Sequence, residues 1–469
     1  MKRTPIFGKV GAAACATHAA AGSSRSLAKL GPRSVAVAAV LSLSVLAAGC
    51  GSDDAGGSGD GSSTLTVQVQ AEQLDAFQYA ADIFEDENPE VKVELQTITG
   101  EQKQSTNAQV MASGDAPDIG LVPMGGPPYL ELMKNDALVP LSDVWNSADL
   151  DNRMDEATAA SLKSDGTPYV VLFDTVYYNV VFYNKDAFEK AGVEAPANHQ
   201  IESPEQLYGI VDQLDDAGYA GVALGGSSGF QASWMLDAQL YANADQTAFE
   251  DFTTSWKTGE EQEVPYTSPE FLGSIEQIKE FDENGVFVPG YLGQDLDQAQ
   301  AAFTSGTAAM MLGGNWLPAI FDGPDSGVKF DYDWLLLPGT EGPTVPTVYA
   351  GDTLVVPTTS DNQEMAKAFL EVYVSDDVQR YAASKVGSMP AVTSVDPTEI
   401  DELPTATQDI VAFVNDNGAG VGWTSVVPGA LSQQFVDPQI QQLLAEQTSL
   451  AALGEAQQEQ FESFKKDNS

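Results

Sequence analysis

Ala301–Phe321 reads AAFTSGTAAMMLGGNWLPAIF, and the fold turns on how that stretch is read. Ala308–Leu312 is an apolar run short enough for a buried strand. Gly313 and Gly314 follow, and paired glycines at a strand end let the backbone turn sharply or approach another group closely. Leu317–Phe321 reads as the start of a helix with Pro318 in its first turn. Asn315 and Trp316 are left on the connecting turn, where an indole can offer its face to a cleft. Taken alone, the stretch also reads as a core tryptophan beside a tight turn.

The flanking sequence supplies the setting. Leu65, Val67 and Val69 alternate with polar residues, the period of a strand with one buried face. Leu74, Phe77, Ala81 and Phe84 recur at helical spacing and stop at Asn88-Pro89, and Val91, Val93 and Leu95 alternate again. That is a βαβ unit, and in parallel sheets ligands sit beyond the carboxyl ends of strands. The rule points to Glu72 and Gln73 in the first turn, two residues that solvation or helix capping would equally explain. Ile119–Val122, the turn-rich PMGGPP loop, a helix over Tyr129–Asn135 and the segment 137–144 form a second unit. Further on, Gly221–Gly225 is a small strand, and GFQASWMLDAQL (229–240) puts Phe230, Gln231 and Trp234 at a strand-to-helix junction. Trp234 reads as a core residue too, since Leu236 and Leu240 follow it at buried spacing; Trp256 and Trp334 read as structural.

The first 49 residues carry six basic residues and no acidic one, then an apolar segment, Val35–Ala48. Fourteen residues are too few to span a bilayer but fit a signal-peptide core. Ala47-Ala48-Gly49-Cys50 resembles a bacterial lipobox, which implies cleavage before Cys50 and its lipidation. Residues 51–63 (GSDDAGGSGDGSS) hold nothing that can build a core and read as a flexible tether. Cys15 and Cys50 are the two cysteines, so the folded part has neither disulfides nor thiolate metal ligands.

After cleavage, 15 Lys+Arg remain against 68 Asp+Glu, a net charge of about −53 (15 − 68). This excludes nucleic acid and repels anionic substrates. The excess also points to a saline or alkaline habitat. Binders of amino acids or dicarboxylates want an arginine fork, and neither surviving arginine, Arg153 or Arg380, sits in a loop assigned to the cleft. The ligand is therefore expected to be neutral, or cationic. His199 is expected to be a solvated loop residue.

FEDENPEVKVELQ (84–96), MASGDAPDIGLV (111–122) and ALVPLSDV (137–144) resemble extracellular solute-binding proteins of ABC importers, within the carbohydrate-uptake group that includes maltose-binding protein. TPYVVLFDTVYYNVVFYNKDAFEKAGVEAP (167–196) resembles that family's Tyr-Asn-Lys-Asp segment, and AAFTSGTAAMMLGGNW its strand ending in Gly-x-Trp. Residues 330–342 and 350–391 are similar to its return segment, and the motifs run in order from Leu65 to Phe464. The resemblance implies an α/β, two-lobed periplasmic-binding-protein-like fold, each lobe a mainly parallel sheet flanked by helices, with the ligand cleft between lobes. It implies a signal peptide over 1–49, a lipid-anchored linker over 50–63, a first lobe from 64–175 and 350–412, and a second from 176–349 and 413–469.

Sugar hydroxyls need bidentate acceptors and amides, while sugar C–H faces pack on aromatic rings. Glu72, Gln73, Asp174, Tyr177, Phe230, Gln231, Trp234, Asn315, Trp316, Asp352 and Trp423 supply that mixture. The resemblance implies that Trp316 and Trp423 stack on sugar from the second lobe, and that Glu72 and Gln73 bond its hydroxyls from the first. The expectation is a monomer that captures a neutral saccharide outside the membrane and delivers it to the permease, with no catalysis, cofactor or metal. A cationic solute such as a polyamine stays open, as does a secreted glycan hydrolase using paired carboxylates such as Glu72 and Asp174.

Overall fold

The computed structural model describes residues 63–467 apart from 99–101, 104–106, 125–126, 155, 165, 258, 324–325, 341, 350–351 and 401. The leader, Cys50 and residues 51–62 of the tether lie outside the described residues.

The alternation that opens the folded part becomes β1 (Ser63–Gln70), with Leu65, Val67 and Val69 buried. α1 (Leu74–Glu87) buries Ala76, Phe77, Ala80, Ala81 and Phe84 along one face, and its last turn is closed by Asn88, which donates to the Phe84 carbonyl. β2 (Val91–Ile98) returns parallel to β1, Leu65 opposite Val93. β3 (Gly120–Pro123) follows a parallel bridge between Ile119 and Val67. The Asp118 carboxylate fixes this junction, accepting from the Thr66 backbone and hydroxyl and from Ser360.

After β4 (Val171–Leu172) the chain enters β5 (Val176–Asn184), the hub of a six-stranded sheet. Asn184 caps the helix that follows by accepting from Ala187, and Ser203 does the same for α2 (Pro204–Asp216), accepting from Gln206 with Pro204 in the first turn. The Gln206 side chain reaches back to the Glu202 amide rather than to that of Ser203. Then come β6 (Ala220–Ala223), α3 (Phe230–Asn243), β7 (Ala308–Gly314), α4 (Leu317–Phe321), β8 (Tyr332–Leu335) and β9 (Thr347–Tyr349). β10 (Asp352–Val355), α5 (Gln363–Tyr373) and α6 (Asp376–Val386) follow, then β11 (Gly420–Val421) and the closing helices Gln433–Leu444 and Leu450–Asp467.

Strand order is β3-β10-β4 in one sheet and β11-β9-β5-β7-β6 in the other, with β8 also on β5. Parallel pairing holds for β1/β2, β6/β7 and β9/β11. The other pairings in these sheets are antiparallel, because β5 and β10 run against all their neighbours. Two separate cores result. One gathers Leu65, Phe77, Leu121, Val171, Leu354 and Phe369. The other gathers Val181, Leu236, Met310, Leu317, Trp334 and Ile440.

Candidate functional site

Register decides which side chains share an edge. Pro123 stands opposite Asp352, and Leu172 opposite Thr353. The carboxyl ends of β1, β3 and β4 and the amino end of β10 therefore meet at one edge of the first lobe, where such sheets bind ligands. Lys103 reaches over this edge and donates to Asp352 Oδ2 at 2.5 Å and to Gln70 Oε1 at 3.0 Å. Glu72 is the middle residue of the one-turn 3-10 helix Ala71–Gln73; its side chain is outside the described groups. Gln73 is 7 % exposed and accepts from the Ser388 hydroxyl at 3.0 Å. Asp174, also buried, lies just beyond β4. Burial pushes the Tyr349 phenol well above its ordinary range, and the carboxylates of Asp352 and Asp174 push it further.

On the second lobe, β7 pairs antiparallel with β5, Gly314 opposite Tyr178, and parallel with β6. The ends of β6 and β7 and the start of β5 form the matching edge. Trp316, partly buried, stands edge-on to Trp234 with centroids 5.7 Å apart; Trp234 also meets Phe230 at 5.1 Å and Tyr178 at 5.4 Å. Gly314 makes this possible. A Cβ there would lie 2.1 Å from Trp316 Cζ3 and 2.5 Å from the Tyr177 carbonyl oxygen. Tyr177 is partly buried beside the cluster, its backbone tied to Asn315.

Three expected ligand residues do other work. Asn315 is 1 % exposed; its side chain accepts from the Tyr177 amide, its own amide donates to the Tyr177 carbonyl, and Thr407 donates to its carbonyl. Gln231 is fully buried and ties β6 to β7, accepting from Gly225 N and donating to the Leu312 carbonyl. Trp423 is fully buried too, its indole N–H donating to the Phe252 carbonyl and its ring edge-on to Tyr266 and Phe271. The structure thus puts Trp423 in the core rather than on the cleft wall. His199 is not simply solvated either. Its ring stacks on the buried Trp334 at 3.9 Å.

Beneath the aromatic cluster, Asp237 is fully buried and accepts from Tyr178 Oη and from the Thr424 amide, both at 2.8 Å. Burial pushes its carboxyl up to about 6 despite those bonds. Asp437 has one oxygen without a partner, and burial, with Asp237 adding, pushes it up to about 7.

With this geometry, residues 68–380 match the family described as bacterial extracellular solute-binding protein. The chain belongs to that family. This solute-binding protein is 24 % identical over 370 residues to the xylose/arabinose-binding protein XacG of Haloferax volcanii, covering 76 % of this chain and 75 % of XacG. Its fold is similar to that of a chitin oligosaccharide binding protein (TM-score 0.73, 21 % identity, 87 % of this chain and 100 % of that one). It is similar also to maltose-bound MalE3 of T. maritima (TM-score 0.68, 17 % identity, 86 % and 99 %).

The candidate site of this solute-binding protein gathers residues beyond those expected from sequence. Gln70 could have been found, since it ends β1 at the edge that the strand rule names. Lys103, Tyr349 and Ser388 carry no local signal; they join the candidate edge through partners far away in sequence. An open depression of about 530 Å³ lined by Asp151, Met154, Ala159 and Lys163 shares no residue with either edge. Among the described residues no cluster of His, Cys, Asp and Glu could hold a metal ion.

Proposed function

We propose that this solute-binding protein captures a neutral sugar or oligosaccharide between its lobes, closes on it by hinge motion, and delivers it to the permease of an ABC importer. The observation that carries this reading is a partly exposed Trp316 braced by Trp234 on one lobe, with a polar edge of Gln73, Asp174 and Asp352 on the other. Rings take sugar C–H faces, and carboxylates and amides take hydroxyls. Arg153 is held by the Ala148 and Val374 carbonyls and Asp376, so it offers no fork to a ligand carboxylate. Relatives named for xylose, arabinose, chitin oligosaccharide and maltose support the ligand class. The reading needs no covalent chemistry. It includes a monomer, lobe exchanges near 175, 349 and 412, and membrane attachment through lipid on Cys50.

Thermal-shift titration with xylose, arabinose, maltose and chitin oligosaccharides tests it, with product analysis run in parallel. A shift without turnover is expected; released product would support a hydrolase instead. Two carboxylates beside Tyr349 against one ammonium, Lys103, favour a second reading, a cationic solute. A shift with spermidine and none with sugars would select it. Cys50→Ser is expected to release the protein from the membrane fraction.

A further inference from the structure

The turn Gly387–Met389 ends α6 and touches three parts of the molecule. Gly387 takes φ +70° as the helix cap and donates to the Ala383 carbonyl. Ser388 donates to Gln73 on the first-lobe edge, and the Met389 carbonyl accepts from Thr175 where the chain crosses into β5. The third contact leaves the lobe. Val378 and Ala383 of α6 belong to the first core, whereas Leu317 and Phe321 of α4 belong to the second. Between them, a Cβ added at Gly387 would lie 2.8 Å from the Cβ of Ala319, closer than real Cβ atoms come. The lobes meet here through a methyl group and a glycine, and a side chain at 387 would have to displace that methyl.

Ala319 is three residues after Trp316, on the helix that the Gly313-Gly314 turn launches. Bringing α4 onto Gly387 and bringing the Trp316 ring toward the Gln73 edge are therefore one rigid movement. We propose that Gly387 and Ala319 are positioning residues that set how far the cleft closes, so that bulk between them props the lobes apart and loosens the enclosed solute. This rests on the binding reading above, and two variants separate the two.

Ala319→Leu leaves the positive φ of Gly387 untouched, and residue 319 is only partly buried. With whichever of xylose, maltose and chitotriose stabilises the unmutated protein, Ala319→Leu is expected to lose at least tenfold in affinity, mostly through faster release, with an unliganded melting temperature within about 2 °C of the parent. Unchanged affinity overturns the proposal. If none of the three sugars binds the parent, the sugar reading fails and the contact is judged without ligand. The pair Ala319→Cys with Gly387→Cys needs only a small outward shift to reach the Cβ separation of about 3.8 Å that a disulfide takes. Mild oxidation is expected to yield the 319–387 cross-linked peptide by mass spectrometry, in the full chain and at the expense of both new thiols. No such peptide overturns the contact itself.

Discussion

At the scale of one side chain, Trp316 and Asp437 make opposite demands on their surroundings. Trp316 is held edge-on by Trp234 and keeps part of its ring exposed. A stacking residue at the centre of an interface carries about 2–4 kcal/mol, so Trp316→Ala is expected to weaken sugar binding by roughly 30- to 1000-fold, read by calorimetry. Asp437 is buried with an unpartnered oxygen, and its carboxyl rises from 3.8 to about 7. The folded chain then holds a proton that the unfolded chain has already released. Stability from this site is greatest below about pH 4 and declines until the folded group ionises near pH 7. Asp437→Asn removes that titration and is expected to stabilise by on the order of 1–3 kcal/mol at pH 8, with little gain at pH 4. Urea titrations at both pH values check it; an equal effect at both would remove the ionisation argument. Ser233 and Asp237 are the groups that face Asp437, and Asp237 is itself held by Tyr178 and Thr424; all four stay in place in both measurements.

At the scale of elements, the β7–α4 turn was legible because its causes are local. An apolar run ends in two glycines, a proline opens the next helix, and the second glycine lets the indole lie against the strand. Gly314→Ala sets a methyl against both the ring and the Tyr177 carbonyl, and Tyr177 lies in a strand paired with β9. A loss of about 1–3 kcal/mol is expected in denaturant unfolding, together with weaker binding as the ring is displaced. Local causes do not reach everywhere. Val421-Gly422-Trp423 reads the same whether its ring meets a sugar or, as here, Tyr266 and Phe271. Gln231 opens α3 and Asn315 follows β7, at strand-to-helix junctions as expected, yet the polar groups that claim them are backbone atoms of other segments. Lys103 and Asp352 are 249 residues apart, beyond any periodicity. The elements follow from near neighbours; the roles of polar residues at their ends depend on partners that only the assembled lobes supply.

At the scale of the whole molecule, charge and connectivity dominate. The chain carries 68 acidic against 21 basic residues, a formal net charge of −47, and a compact body repels itself under that load. Raising sodium chloride from 0.1 to 1 M shortens the screening length from about 10 to about 3 Å. The melting temperature is expected to rise by roughly 5 °C or more over that range, and a flat or falling trend would show that the acidic surface is not limiting. Connectivity bears on how the molecule forms. In the first lobe, β10 fills the middle of the sheet between β3 and β4, and the Thr353 hydroxyl closes on the Val122 carbonyl across 231 residues of chain. Until that late strand arrives, β3 and β4 have no common partner and their edges stay open to other chains. The entropy of closing so long a loop slows the step further. A chain leaving a translocon amino end first would therefore finish its first lobe only after most of the second has emerged. Extracytoplasmic chaperones would meet an unpaired sheet centre, rather than an unfolded tail, as the last species before the native state.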